Sequence, residues 1–294
     1  MNPSLVGSEM CIRDSFVGMG SRLVFYLTLP VLLFVNITST NVFESTNPQI
    51  LFVGLLATVL VWGFLEVIAR LVGVAQADRG IFVQGSFRSN LAIVGLAYCF
   101  NAYGGAGLAA ASLYLAGVTA LFNLLSVVSL NSSLDGGRGI QKTLLDMLKN
   151  PLLIAIALAL PASAMGVQIP RALDVTATYL ANMTLPLALL CTGASLSFLA
   201  LRQERYKVFW ATFAKLVVTP FVSIGLAYHF DLRGMDLGII ALMSSAPTAA
   251  ASYIMVRAMG GNAPLAANII AVTSLASFVT TTCIFAALEL LSWV

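Results

Sequence analysis

Long apolar runs separated by short polar connections dominate this chain. Stretches of about 20 apolar residues, the length that crosses a bilayer as an α-helix, fall at nine places: residues 16–39, 50–73, 82–101, 107–130, 149–167, 172–200, 208–229, 237–259 and 265–292. The third run is unusual, because Gln84, Ser86, Arg88, Ser89 and Asn90 interrupt its first half. The pattern predicts an all-α polytopic membrane protein with about nine spans. Composition agrees: 59% of the 294 residues are hydrophobic and 9% charged, against about 45–50% and about 25% in soluble domains. A water-soluble enzyme is thereby excluded. The net charge of +3 is too small and too scattered for a nucleic-acid partner. Cys11, Cys99, Cys191 and Cys283 lie far apart without a CxxC pair, so they are read as small core residues rather than a disulfide framework or metal site.

Residues 1–15 (MNPSLVGSEMCIRDS) fit neither a span nor a signal peptide, since Glu9, Arg13 and Asp14 crowd one polar stretch without a basic-then-apolar order. They resemble translated sequencing-adapter sequence and are set aside as a segment foreign to the fold.

The rest of the chain repeats itself at one offset. Thr28-Leu29-Pro30 recurs as Thr184-Leu185-Pro186, and Ala102-Tyr103-Gly104-Gly105 aligns with Ala258-Met259-Gly260-Gly261, both 156 residues on. Ser89 meets Ser245 and Phe122 meets Phe278 in the same register. Residues 16–130 therefore form a first repeat, 131–148 a connecting loop and 149–294 a second repeat. The span at 149–167 has its counterpart where the foreign-looking opening stands, so the first helix of the first repeat is read as missing. Five helices per repeat is an odd number, which turns the second repeat upside down. An inverted 5+5 repeat is a recurrent architecture of secondary transporters, with substrate held near the midplane.

Basic residues orient the chain. Arg79, Arg138, Lys142, Lys149, Arg202, Arg205 and Lys207 lie in one set of loops, and Arg171 and Arg233 in the other. The first set is cytoplasmic under the positive-inside bias, which leaves the C-terminus outside.

Two equivalent spans carry helix-breaking sequence: Arg88-Ser89-Asn90, and Ser244-Ser245-Ala246-Pro247-Thr248. Proline removes one helical N–H and moves the preceding residue out of helical geometry. Such a break survives in hydrocarbon only when buried in protein or lining a wet cavity. Two inverted breaks would aim half-helix N-termini at one point, where their partial positive charge favours an anion such as a carboxylate. Asn90, Ser89, Ser245 and Thr248 are the side-chain donors expected at that crossing, with Pro247 shaping it. Asn182, one turn before Pro186, is a candidate on the cavity wall. The alternative has Ser and Thr bond backward to the i−4 carbonyl and Asn cap a half-helix, purely as repair of the break. Glu66 and Lys215 are placed to pair within the membrane, or Lys215 to snorkel to the interface, in either case in a structural role rather than ion coupling. Arg88 and Arg257, near cytoplasmic ends, either attract anions or contact lipid headgroups, the second reading being favoured. His229 is read as interfacial.

All twelve acidic residues fall outside the two broken segments, so the paired carboxylates of direct proton or sodium exchange are missing. No catalytic motif, metal-ligand spacing or cofactor motif is present. No enzymatic activity, cofactor or metal is expected. A sodium-coupled organic anion symporter, with ions held by unwound backbone carbonyls, is the alternative within transport; a membrane sensor or an integral-membrane enzyme is the alternative outside it.

Four segments carry a family resemblance: FYLTLPVLLF (Phe25 to Phe34), FRSNLAIVGLA (Phe87 to Ala97), TLPLALLCTGASLSF (Thr184 to Phe198) and APTAAASYIMVRAMGG (Ala246 to Gly261). Together they resemble the auxin efflux carrier family of membrane transporters, which includes bacterial malate or malonate permease-like members and plant auxin exporters. The resemblance implies ten helices in two inverted repeats, crossovers in the fourth and ninth, a homodimer, and elevator-like alternating access to small organic anions in the bacterial inner membrane. It assigns the crossovers to Asn90 and Pro247. The chain departs from the family in having Ala97, where proline is common after Gly95-Leu96, which leaves open how sharp the first break is.

Overall fold

The computed structural model describes residues 15–39, 47–134, 149, 151–167, 169–194 and 202–294. The opening segment through residue 14, Arg138 and Lys142 lie outside them. Among the described residues the chain is helical apart from short turns and one isolated bridge. In order, the helices are α1 (15–39), α2 (Pro48–Leu71), α3 (Gln76–Phe87), α4 (91–103), α5 (105–134), α6 (Pro151–Ala164), α7 (Arg171–Ala194), α8 (Arg205–His229), α9 (Met235–Ser245), α10 (Ala251–Ala258) and α11 (Ala263–Leu290). With α3–α4 and α9–α10 each counted as one broken helix, the described residues hold nine helical segments, one for each apolar run of the sequence. Five helical stretches, in α1, α2, α5, α8 and α11, are long and apolar enough to cross as single helices.

The 156-residue offset recurs in the backbone. Gly104 has φ 62° and its counterpart Gly260 has φ 80°, and each ends the second half of a broken span in the left-handed region that favours glycine. The break recurs two residues out of that register: α3 stops at Phe87 and α9 at Ser245, 158 positions on, and in each case an extended residue follows, Arg88 (φ −78°, ψ 104°) and Ala246 (φ −57°, ψ 144°).

Three π-helical turns interrupt the regular pattern: Val24–Thr28 in α1, Leu91–Gly95 opening α4, and Ala214–Val218 in α8. The first and third stand two residues before Pro30 and Pro220. Widening the turn there accommodates a ring that has no N–H to donate and crowds the preceding carbonyl.

The helices pack in two groups. α6 and α7 each pack on α1, whereas α2–α5 and α8–α11 form a larger bundle around both broken spans. The buried core runs through that bundle, with Phe82, Phe87, Ile240, Tyr253 and Ile269 essentially inaccessible. Its surface is apolar, as lipid requires: Phe64, Phe221, Leu275 and Phe278 are all exposed. Cys99 and Cys191 are buried as expected, but Cys283 is exposed on α11, so the core reading fails for it; that position faces outward from an apolar helix, where a small thiol meets lipid.

α3 and α5 approach closely at Gly80, where an added Cβ would run into the Ser129 carbonyl oxygen. Gly63 on α2 has nothing within 4 Å of the same position. Gly80→Ala is therefore expected to cost about 1–3 kcal/mol by overpacking and to lower the unfolding temperature in detergent, while Gly63→Ala leaves it unchanged or slightly raised. A fluorescence-monitored melt of both variants checks this.

Candidate functional site: the crossing of two broken helices

The two breaks meet. Ser89 and Thr248 form an antiparallel bridge, closed by Asn90 N–H donating to the Pro247 carbonyl (2.7 Å) and Ala249 N–H donating to the Arg88 carbonyl (3.2 Å). This pair of bonds is its own image under a local two-fold that exchanges Ser89 and Thr248, three residues out of the 156-residue register. It also answers the question left by Ala97. The first break is sharp without a proline of its own, because Pro247 offers a carbonyl that captures the Asn90 amide. The helix then restarts with both Val94 and Gly95 N–H donating to the Asn90 carbonyl.

The C-terminal ends of the first half-helices are closed by side chains. In α3, the Gly85 carbonyl accepts from Thr248 Oγ1 (2.6 Å) and the Ser86 carbonyl from Thr219 Oγ1 (3.0 Å). In α9, the Ser244 carbonyl accepts from Lys215 Nζ (2.7 Å) and Ser89 Oγ (3.2 Å), and the Ser245 carbonyl from Thr281 Oγ1 (3.2 Å). Lys215 also donates to Ser89 Oγ at 2.8 Å and is fully buried.

The N-terminal ends of the second half-helices open instead onto a cavity of about 90 Å³ between the two helix groups. Arg88, Ser89, Asn90 and Leu91 line it from one crossover, and Ala249, Ala250 and Ala251 from the other. α1 and α7 complete it with Leu29, Leu33, Thr184 and Ala188. Arg88 is 4% exposed, and α5 holds its guanidinium: Nη2 donates to Asn123 Oδ1 at 2.9 Å and Nη1 contacts Ser126 Oγ at 3.4 Å. Asn123 in turn is anchored on the Thr119 carbonyl.

The predicted residues divide accordingly. Ser89 and Asn90 line the cavity, and the Asn90 side chain makes no capping bond. Ser245 Oγ donates to the Ala241 carbonyl, the i−4 bond of the alternative above, whereas Thr248 Oγ1 donates across the crossing to the Gly85 carbonyl, a backbone partner that neither reading named. Pro247 supplies the bridging carbonyl. Asn182 is exposed on α7 and does not line the cavity; Thr184, two residues on, does. Its buried Oγ1 has no hydrogen-bond partner, and neither has that of its repeat counterpart Thr28.

Several other readings are corrected. Glu66 and Lys215 do not pair: Glu66 Oε1 accepts from Ser129 Oγ at 2.6 Å, while Lys215 turns to the crossing. Arg88 is buried at the break rather than at the headgroups, because the extended residue after Phe87 directs it into the α5 groove. Arg257 does border a cavity, one shared with Arg22 on α1. His229 is exposed at the end of α8, consistent with an interfacial place.

Comparison with known proteins decides the family. Residues 138–285 match the family described as "membrane transport protein". The chain belongs to this family, that of the auxin efflux carriers. It is 26% identical over 257 residues to an uncharacterized transporter of Methanocaldococcus jannaschii, spanning 83% of this chain and 80% of that one. A second uncharacterized transporter, from Methanothermobacter thermautotrophicus, is 22% identical over 237 residues, spanning 80% and 77%. The chain is thus a multi-pass membrane transporter.

Removing one of the carbonyl caps at the crossing should be costly. Thr248→Val strands the buried Gly85 carbonyl and is expected to destabilise by about 1–3 kcal/mol, whereas Thr248→Ser keeps the donor and stays near wild type. Thermal unfolding of the two variants side by side reads the difference.

Proposed function

We propose that this protein is a secondary carrier for a small organic anion, a mono- or dicarboxylate of the malate or malonate class. The observation that carries the reading is the polarity of the crossing. Both second half-helices begin at the cavity, so their N-terminal ends and the positive poles of their dipoles face it. Arg88 adds a buried full charge. Among the described residues Arg88 makes no ion pair with a carboxylate. Buried cations without counter-ions are costly, and a visiting anion offsets that cost. Asn90 and Thr184 supply neutral donors on opposite walls, suited to carboxylate oxygens.

The cavity lies between the two helix groups, and this supports an elevator-like alternating access in which the bundle holding the crossing slides past α1, α6 and α7. Occupancy shifts the balance between inward and outward states only through differential affinity. The basic loops favour a bacterial inner membrane with the C-terminus outside. Gly234 N–H donates to the Trp293 carbonyl, which ties the C-terminus to the loop already assigned to that side. Homodimeric assembly completes the proposal; exposed Leu173, Tyr179 and Leu190 on α7 give an apolar face for lipid or a second copy.

The test is flux of labelled mono- and dicarboxylates in proteoliposomes. Asn90→Ala leaves the backbone bridge to Pro247 intact, so the variant is expected to fold and to lose about ten-fold or more in flux, the worth of one hydrogen bond to a charged group. Arg88→Gln loses at least as much. Unchanged flux in both variants, or flux of none of the carboxylates by the wild type, overturns the reading.

A further inference from the structure

The crossing has a second side, away from the anion cavity. There the negative ends of the α3 and α9 dipoles converge, and unwound carbonyls at such a place are the ligands that hold a coupling cation in carriers with broken helices. In this chain those carbonyls are taken. Gly85, Ser86 and Ser245 accept from threonine hydroxyls, and Ser244 accepts from Lys215. The lysine reaches this point because the π-helical turn Ala214–Val218 interrupts α8 there; the counterpart position, Val59 on the unbroken helix α2, is 43% exposed. Nζ lies 2.7 Å from one carbonyl oxygen and 2.8 Å from Ser89 Oγ, the spacing of charge-assisted hydrogen bonds. A cavity of about 10 Å³ alongside, bordered by Thr58 and Ser223, is no competitor. Both hydroxyls donate back to their own helices, Thr58 to the Gly54 carbonyl and Ser223 to the Thr219 carbonyl.

Resting on the carrier reading above, we infer that Lys215 is a resident cation, which fills the position of a coupling sodium ion at the crossing and makes transport independent of sodium. The covalent tether holds one positive charge permanently at the meeting of the two half-helix C-termini. The anion is then recognised from the opposite side by Arg88 and the two N-termini, and no second ion has to bind first. A sodium ion coordinated at this place, as the symporter alternative within transport needs, would have to displace Lys215 or a threonine hydroxyl from the Gly85, Ser86, Ser244 and Ser245 carbonyls.

The experiment is a melt of the purified full-length protein with no carboxylate present, so that failure of the organic-anion reading does not alter its outcome. Salts are compared at about 150 mM, near physiological ionic strength. For the wild type, exchanging choline chloride for sodium chloride is expected to move the unfolding temperature by less than about 1 °C, since a ligand that does not bind the folded state does not stabilise it. Lys215→Ala empties the position. It is expected to unfold at lower temperature in choline and to recover by about 3 °C or more when sodium or methylammonium chloride replaces it. A saturable sodium-dependent rise of that size in the wild type overturns the inference, and so does a Lys215→Ala protein indifferent to both cations. Should that variant fail to fold, the wild-type sodium titration decides alone: a flat response supports the resident cation and a saturable one refutes it.

Discussion

An interrupted helix in hydrocarbon must find partners for its freed backbone groups, and every other feature of this crossing follows from how they are found. Each group left unsatisfied costs several kcal/mol. The solution is mutual: Asn90 N–H meets the Pro247 carbonyl and Ala249 N–H meets the Arg88 carbonyl. One break is thus the partner of the other. Proline at only one of them suffices, because a residue that lacks a donor still offers its carbonyl, and the second break is imposed by accepting it.

That pairing sorts the half-helix ends by sign. Carbonyl ends lie on one side of the bridge and amide ends on the other, since each chain runs through the crossing once and the two run in opposite senses. The carbonyl side is closed with threonines from α8, α11 and the crossover itself, and with one lysine. The amide side is left facing a cavity. A site built this way needs few charged side chains to prefer an anion, since most of its positive potential comes from main-chain dipoles.

Much of this is legible in the sequence, for reasons that can be located. Hydropathy marks the apolar helices because lipid tolerates few charges on a span, and Pro247 with Ser244-Ser245 marks the second break because proline has one mechanical effect wherever it stands. Arg88-Ser89-Asn90 marks the first through the repeat rather than through propensity. Lys215 is misread from sequence: distance along an ideal helix places it toward the cytoplasmic edge, and nothing in a linear pattern announces the π-helical turn in which it sits. Pro220, five residues on, is the signal that was available, since a proline within a span implies a local widening upstream. Arg88 is misread for a related reason. Its burial depends on Asn123 and Ser126, 35 and 38 residues away in the chain, and only the packing of α5 brings them there. Asn182 and Thr184 show the same limit at smaller scale, where two residues on one helix separate an exposed amide from a cavity-lining hydroxyl.

The distribution of these bonds bears on how the protein moves. Arg88 is held by α5 and α10, Lys215 comes from α8, and the threonine caps come from α8 and α11; all belong to the larger helix group. Toward the cavity α1 and α7 offer Val24, Leu29, Leu33 and Ala188, with Thr184 as the polar exception. Aliphatic surfaces slide past one another without breaking directional bonds, whereas a crossing knitted by hydrogen bonds resists internal deformation. The energetic contrast favours motion at the boundary over rearrangement within the site. On the elevator proposal the crossing travels intact, and Thr184 is the donor whose contact with the bound anion changes during the stroke, because it is the polar cavity residue that stays with the other group.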